Sequence, residues 1–282
     1  MTTHLPNISP FISSKPYSEL VFIKLGGSLI TDKDKPLQAQ TDLILDLLNQ
    51  LGVFLIQYPE TRVLLGHGSG SFGHYMAKLY GTRDGVRDEM GWQGYHDVWR
   101  KARELHDIVL ACGLDFDLPL PLISFPPSAS VSASNRQITT WNLEPMTTAI
   151  DNGLIPVVYG DVVYDDQLGG TILSTEELFV DLASVFKPER VLLFGKTDGV
   201  YEDFPNSQKI ISHINSETEL PQTLKESDSP DVTGGMVEKV RLMQKLCALS
   251  PETEVRICSG SDMSQMMDAL IGKEVGTLIT HK

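Results

Sequence analysis

Arg62-Val63-Leu64-Leu65-Gly66-His67-Gly68-Ser69-Gly70-Ser71-Phe72-Gly73-His74 begins as an apolar run and breaks into a cluster of glycines. A helix-like pattern starts near His74, so the stretch predicts a strand, a tight loop and a helix N-terminus. Glycine lets the backbone approach a ligand with its N–H groups turned inward, and the dipole of the following helix favours an anion there. A phosphate is the expected guest. A second turn of the same kind, Lys24-Leu25-Gly26-Gly27-Ser28, closes the apolar run Val21 to Leu25. Two such loops imply two phosphorylated ligands meeting each other, as in a kinase.

Outward from these loops, strands and helices alternate. Leu43, Leu47, Leu48 and Leu51 fall at helical spacing between Asp42 and Tyr58, and Pro59 ends that helix. Each glycine turn therefore sits at the carboxyl end of its strand, where open α/β sheets bind ligands. From His74 to Leu114 the pattern stays helical, with breaks expected near Gly81 to Gly85 and Gly91 to Gly94. Tyr95, Val98, Trp99, Ala102, Leu105 and Val109 make an apolar stripe there, read as core with part of it available to an apolar substrate tail. Further strands are expected at Leu120 to Phe125, Leu154 to Tyr159, Arg190 to Phe194, Val255 to Cys258 and Gly276 to Ile279. A hairpin is expected around Gln167 to Gly169, and helices at Thr175 to Phe186, Val237 to Leu249 and Met263 to Leu270. Residues 203 to 230, rich in Ser, Asn, Pro and charge, read as an excursion from the sheet.

The chain has 282 residues, 41% hydrophobic and 21% charged, which suits one α/β domain with a sizeable core. Its formal charge of -14 argues against a nucleic-acid or anionic-membrane surface, since both need a basic field. Loop N–H groups and a few placed lysines still reverse the potential locally. Cys112, Cys247 and Cys258 lack metal-ligand spacing and suit buried thiols in a reducing compartment. Met1 to Pro16 reads as a loose tail rather than a signal peptide, and no apolar run approaches the roughly 18 residues of a membrane span. The expectation is a cytoplasmic protein.

Gly68, Gly70 and Gly73 also match G-x-G-x-x-G, the dinucleotide fingerprint. That motif needs a second strand ending in an acid roughly 20 residues on, and Arg83 to Arg103 carries no β-like run. The Walker pattern and the protein-kinase triplets are absent as well.

Six motifs together carry a resemblance: Lys24 to Ser28, His67 to His74, Gly160-Asp161, Thr197-Asp198-Gly199-Val200, Asp231-Val232-Thr233-Gly234-Gly235-Met236, and Gly276-Thr277. In this order, from Val21 to Ile279, they resemble the amino-acid kinase superfamily, and within it most of all the isopentenyl phosphate kinase family. The resemblance implies a three-layer α/β/α sandwich with an open, mainly parallel central sheet, usually homodimeric. It implies an acceptor-binding part at about 17 to 160 and a nucleotide-binding part at about 161 to 282. The implied reaction is ATP-dependent phosphorylation of isopentenyl phosphate to the diphosphate, with Mg2+ carried by ATP on phosphate oxygens and water.

Phosphoryl transfer needs alignment and neutralisation of charge more than covalent help, and lysines serve as mobile point charges. By resemblance, Lys24 reaches the donor phosphates, Lys33 the transferring group, and Lys239 the nucleotide. Lys35 has the same local surroundings as Lys33, so the two are not separable by sequence. His74 goes with acceptors that are already phosphate or phosphonate esters, because its ring donates a hydrogen bond to the acceptor oxygen. The acceptor contacts implied are Gly68, Ser69, Gly70, Gly73, His74 and Gly160. The nucleotide contacts implied are Lys24, Gly26, Gly27, Ser28, Ser69, Asp198, Gly235 and Lys239.

The chain departs from the family pattern twice. Ser69 stands where a third glycine is usual, which narrows the loop without removing its N–H. Ser174-Thr175-Glu176 replaces the usual Ser-Gly-Asp, and Glu176 is one methylene longer than the aspartate thought to orient the lysines. Either the glutamate substitutes or the arrangement differs. Two other functions stay open on these residues: a kinase of the same fold for another phosphate or a phosphonate such as fosfomycin, and a non-catalytic nucleotide-binding module.

Overall fold

A computed structural model of the chain describes residues 10–13, 15–32, 35, 37–115, 119–203, 206–207, 209–215, 218–219 and 235–282. The first half of the chain runs β1 (Glu19–Leu25), α1 (Gly27–Ile30), α2 (Thr41–Gln57), β2 (Thr61–His67), α3 (Gly70–Tyr80) and α4 (Glu89–Cys112). It continues with β3 (Leu122–Ser124), α5 (Pro127–Ser130), β4 (Val131–Ser134), β5 (Gln137–Trp141), α6 (Glu144–Asp151) and β6 (Ile155–Tyr159). The second half holds β7 (Asp161–Asp165), β8 (Gly169–Leu173), α7 (Thr175–Phe186), β9 (Arg190–Gly195) and β10 (His213–Asn215). It closes with α8 (Gly235–Leu249), β11 (Glu254–Ser259), α9 (Met263–Leu270) and β12 (Thr277–Thr280).

Eight strands form one sheet in the order β10-β12-β11-β9-β1-β2-β6-β3, and β5-β4-β7-β8 form a smaller one. In the large sheet only β11 and β12 pair antiparallel. Its central strands are apolar on both faces because helices cover both, as a parallel sheet demands. Phe22, Leu64, Leu193 and Ile257 join Phe179 of α7 and Met243 of α8 on one side. Val21, Ile23, Leu65 and Leu192 join Leu47 of α2, Leu105 of α4 and Leu270 of α9 on the other. This is the expected three-layer α/β/α sandwich. Strand β1 leads to β2 on one side and pairs with β9 on the other, so the crevice at their carboxyl ends is the switch point where such sheets bind ligands.

Several expectations need correction. The helix after the central loop starts at Gly70 rather than His74, so the glycine segment is its first turn. Helix α4 runs unbroken through Gly91 and Gly94. The Gly91 N–H donates to the capping Asp88, and a Cβ on Gly94 would lie 2.4 Å from Tyr80, so that glycine allows close packing of α3 on α4. Trp99 stays partly exposed while Tyr95, Val98, Ala102, Leu105 and Val109 are buried. Residues 10–13 and 15–16, expected to be loose, are tied down: the Ser13 N–H donates to Asn152 O, and the Arg62 guanidinium donates to Ser13 O and Lys15 O. Part of the 203–230 excursion joins the sheet as β10, beside β12. Residues 1–9 and 231–234, named in the sequence reading, lie outside the described residues.

Candidate active site

The two glycine turns meet backbone to backbone. A Cβ on Gly27 would lie 2.5 Å from Gly70 N, and one on Gly68 would lie 2.7 Å from Gly27 N. Gly70 sits at φ +49, the left-handed region that favours glycine. Thr31 stitches the turns together, its hydroxyl donating to Gly27 O (2.8 Å) and accepting from the Ser71 N–H (3.0 Å). The Gly68 N–H donates to Leu25 O and the Gly160 N–H to His67 O, so these two amides fix the loops to the sheet. Among the described residues, the amides of Gly27, Ser28, Ser69 and Gly70 have no acceptor. They line the mouth where the two turns touch, as an anion site at two helix N-termini requires.

The Ser69 side chain turns back over Gly73, within 2.4 Å of where a Cβ there would lie. His74 follows on the same first turns of α3 and is half-buried.

Lys24, near the end of β1, is only 5% exposed, and its Nζ lies 3.2 Å from Glu176 Oε1 in the first turn of α7. Burial pushes the Glu176 carboxyl up, but the Lys24 and Lys239 ammonium groups outweigh that and hold it below the usual carboxylate range. The glutamate thus stands against Lys24 and within electrostatic reach of Lys239, two of the three lysines that the resemblance assigns to the phosphates. A capping box aims it: Ser174 Oγ accepts from the Glu177 N–H, and Glu177 Oε2 accepts from the Ser174 N–H. Glu177 is further held by Arg83 and Arg136, which fixes the helix start. The Thr175 hydroxyl donates to His67 O at 2.6 Å, joining α7 to the end of β2.

Asp198 is exposed in the turn after β9. That turn packs on the Gly276-Thr277 motif, with the Val200 N–H donating to Thr277 Oγ1 (2.8 Å). Gly235 opens α8 at φ +65, and Lys239 lies one turn further along it. Lys33 lies outside the described residues, while Lys35 is described and exposed. The structure therefore brings together Gly26 to Ser28 with Gly68 to Gly70, and Lys24 with Glu176 near Lys239. Thr31, Thr175 and the buried His67 were not singled out as site residues. The signal for Thr31 was slight: one hydroxyl residue directly after the apolar pair Leu29-Ile30.

An α/β/α sandwich with two amide-lined glycine turns and a buried lysine at one sheet end defines a phosphate-handling enzyme of the kinase type. Residues 19–259 match the model of the amino acid kinase family, and the chain belongs to that family. It is 29% identical to the isopentenyl phosphate kinase of Methanocaldococcus jannaschii, over 92% of this chain and 98% of that protein. It is 31% identical to the isopentenyl phosphate kinase of Methanothermobacter thermautotrophicus, over 93% of this chain and 100% of that protein. An X-ray structure of an isopentenyl phosphate kinase superposes with a TM-score of 0.76 at 28% identity, covering 93% of this chain and 100% of that one.

Proposed function

We propose that this chain transfers the γ-phosphoryl group of ATP directly to a phosphate oxygen of isopentenyl phosphate, giving isopentenyl diphosphate and ADP. The observation that carries the reading is the contact between the two glycine turns, with unpaired amides at their mouth and Lys24 held on Glu176 beside them. The first turns of α3 would hold the acceptor through Ser69, Gly70 and His74. The turn after β1 and the start of α8 would hold ATP, with Lys24 and Lys239 on its phosphates and Lys33 near the moving group. In-line transfer needs such a double clamp because both reactants are anions that repel each other. The five-carbon tail would lie against the apolar cluster of Ala77, Val86, Tyr95 and Val98, which begins one helical turn beyond His74.

Amide and ammonium donors at the mouth suit phosphate oxygens rather than a bare cation, which fits magnesium carried by the nucleotide. The bound ion would neutralise phosphate charge. A homodimer in a reducing, cytoplasmic setting completes the proposal. The likeness to the family supports the dimer, and the three buried free thiols support the compartment. No helix among the described residues is long and apolar enough to cross a membrane.

The test is a panel of alkyl monophosphates and fosfomycin, assayed with Mg-ATP for ADP and phosphorylated product. Isopentenyl phosphate should turn over fastest. His74→Ala should lose turnover with every ester by about tenfold to a hundredfold, as for a charge-assisted hydrogen bond of roughly 1.5 to 3 kcal/mol. Turnover of fosfomycin alone would replace the substrate and keep the kinase. ATP binding with no transfer to any ester would favour the non-catalytic module.

A further inference from the structure

Beneath the acceptor loop lies a row of buried polar side chains that phosphoryl transfer itself does not use. His67, the last residue of β2, is fully buried, as is His106 on α4. His67 Nδ1 lies 3.1 Å from Gly68 O, and His67 Nε2 lies 3.0 Å from His106 Nδ1. His106 Nε2 in turn lies 2.7 Å from Ser124 Oγ at the end of β3. Tyr159 stacks on both rings, with centroids 5.4 Å from His67 and 4.2 Å from His106.

The carbonyl end of this row fixes every proton in it. A carbonyl oxygen only accepts, so His67 Nδ1 carries its hydrogen. A neutral imidazole has one N–H, which leaves His67 Nε2 as an acceptor and requires His106 Nδ1 to donate to it. His106 Nε2 is then an acceptor, and the Ser124 hydroxyl donates. Protonating His67 would set its Nε2–H against the His106 Nδ1–H and force His106 to reverse its tautomer, whereas protonating His106 would force the Ser124 hydroxyl to turn from donor to acceptor. The surroundings oppose that. Burial lowers His67 to about 4, with the Gly68 carbonyl acting against the shift and Lys24 adding to it. Burial also lowers His106 to about 2, with His67 and Arg103 adding to it.

The carbonyl that receives this chain belongs to the Gly68–Ser69 peptide. In a trans peptide the C=O and N–H point in opposite directions. The Ser69 N–H is one of the amides at the mouth without an acceptor among the described residues.

We propose that the one-way chain from Ser124 through His106 and His67 to the Gly68 carbonyl is a positioning device, which pins that carbonyl inward and thereby aims the Ser69 N–H at the acceptor phosphate. His67 and His106 are positioning residues in this role, acting through one peptide plane. The role rests on the acceptor site proposed above, whereas the order of protons rests on the distances alone.

Both parts are testable. In protein labelled with 15N-histidine, long-range nitrogen–proton spectra should show the rings of His67 and His106 in the Nδ1–H form. Those two should stay neutral from pH 8 to pH 5. His106→Phe, which keeps the ring stack on Tyr159 but has no N–H, should remove one of these signals. It should raise the KM for isopentenyl phosphate about tenfold, the scale of one buried hydrogen bond, and leave the KM for ATP unchanged. His106→Asn, whose side-chain amide can donate from the Nδ1 position, should restore most of the loss. Ser124→Ala, at a half-buried strand end, supplies the same readouts if the ring variants fold poorly. Either ring found as Nε2–H, or titrating near 6.5, would overturn the chain. Correct rings with an unchanged acceptor KM in His106→Phe would overturn its positioning role. Wild-type protein without transfer to any ester would overturn the acceptor assignment, and with it the role, while the spectra still decided the proton order.

Discussion

At position 176 a carboxylate only 9% exposed stays ionised because two ammonium groups face it, and each side of that arrangement depends on the other. Lys24 is as deeply buried as its partner, so removing the negative charge strands a positive one in a water-poor site. Glu176→Gln should therefore cost about 3 kcal/mol of stability, the lower end for breaking a buried pair. It should also lower turnover at least about tenfold, because Lys24 loses the anchor that sets its angle to the donor phosphates. Glu176→Asp keeps the charge and shortens the reach by one methylene, so it should recover part of both. Urea unfolding and steady-state kinetics on the two variants read the result. Full turnover in Glu176→Gln would sink the orienting role. The residue was visible in the sequence only as a departure from a motif, and whether the extra methylene could be absorbed was a question of distance. The capping box on Ser174 and Glu177 answers it by fixing where the first turn of α7 begins.

Between elements, the decisive contact is the one with no side chains in it. Gly27 opens α1 and Gly70 opens α3, and their backbones approach so closely that any Cβ on Gly27 meets an amide nitrogen. Gly27→Ala should push the two turns apart by a fraction of an ångström to an ångström. A misplacement of that size costs on the order of a hundredfold in transfer, with little change in the sheet behind it. Single-turnover transfer beside a thermal melt separates these outcomes, and normal transfer would show that the contact is incidental. That these loops met was legible from their shared glycine pattern and their place at strand ends. Helices α7 and α9 were legible to the residue, because Ser174 and Asp262 cap them and their apolar spacing is regular. Strands β4 and β5 were not. Val131-Ser132-Ala133-Ser134 is short and half polar, and its pairing is set by a turn in which Asn135 and Arg136 both adopt positive φ. Asn135 is the one local sign of that turn, and Arg136 gives none, since Asp165 stabilises it from β7 by accepting the N–H groups of both residues.

Across the whole molecule, the buried polar groups of β2, α4 and β7 link folding to pH in a way their positions fix. His67 and His106 lie 39 residues apart in sequence, which is why no motif reading joined them. Once unfolded, each titrates near 6.5, but in the fold burial holds them neutral to about 4 and about 2. Their contribution to stability is full above about pH 7.5 and falls away as the pH drops through 6.5 toward the folded values. Asp161 works in the opposite sense. Burial raises it to about 6 from an unfolded value of 3.8, against hydrogen bonds to Ser128 and Val162 that lower it. Around pH 5.5 the unfolded chain therefore binds about two more protons at the histidines, and the folded chain about one more at Asp161. The net difference is about one proton, so stability should rise by roughly 1.4 kcal/mol per pH unit between pH 5 and 6 and level off above about 7.5. His106→Phe removes one histidine from that balance, leaving about one proton against one. Its stability should be nearly flat over the same interval, even if it is lower throughout. Urea midpoints taken from pH 5 to 8 on both proteins measure the two slopes. Equal slopes would mean that His106 takes up its proton in the fold as readily as outside it, which the packing of two imidazoles and a tyrosine ring does not permit.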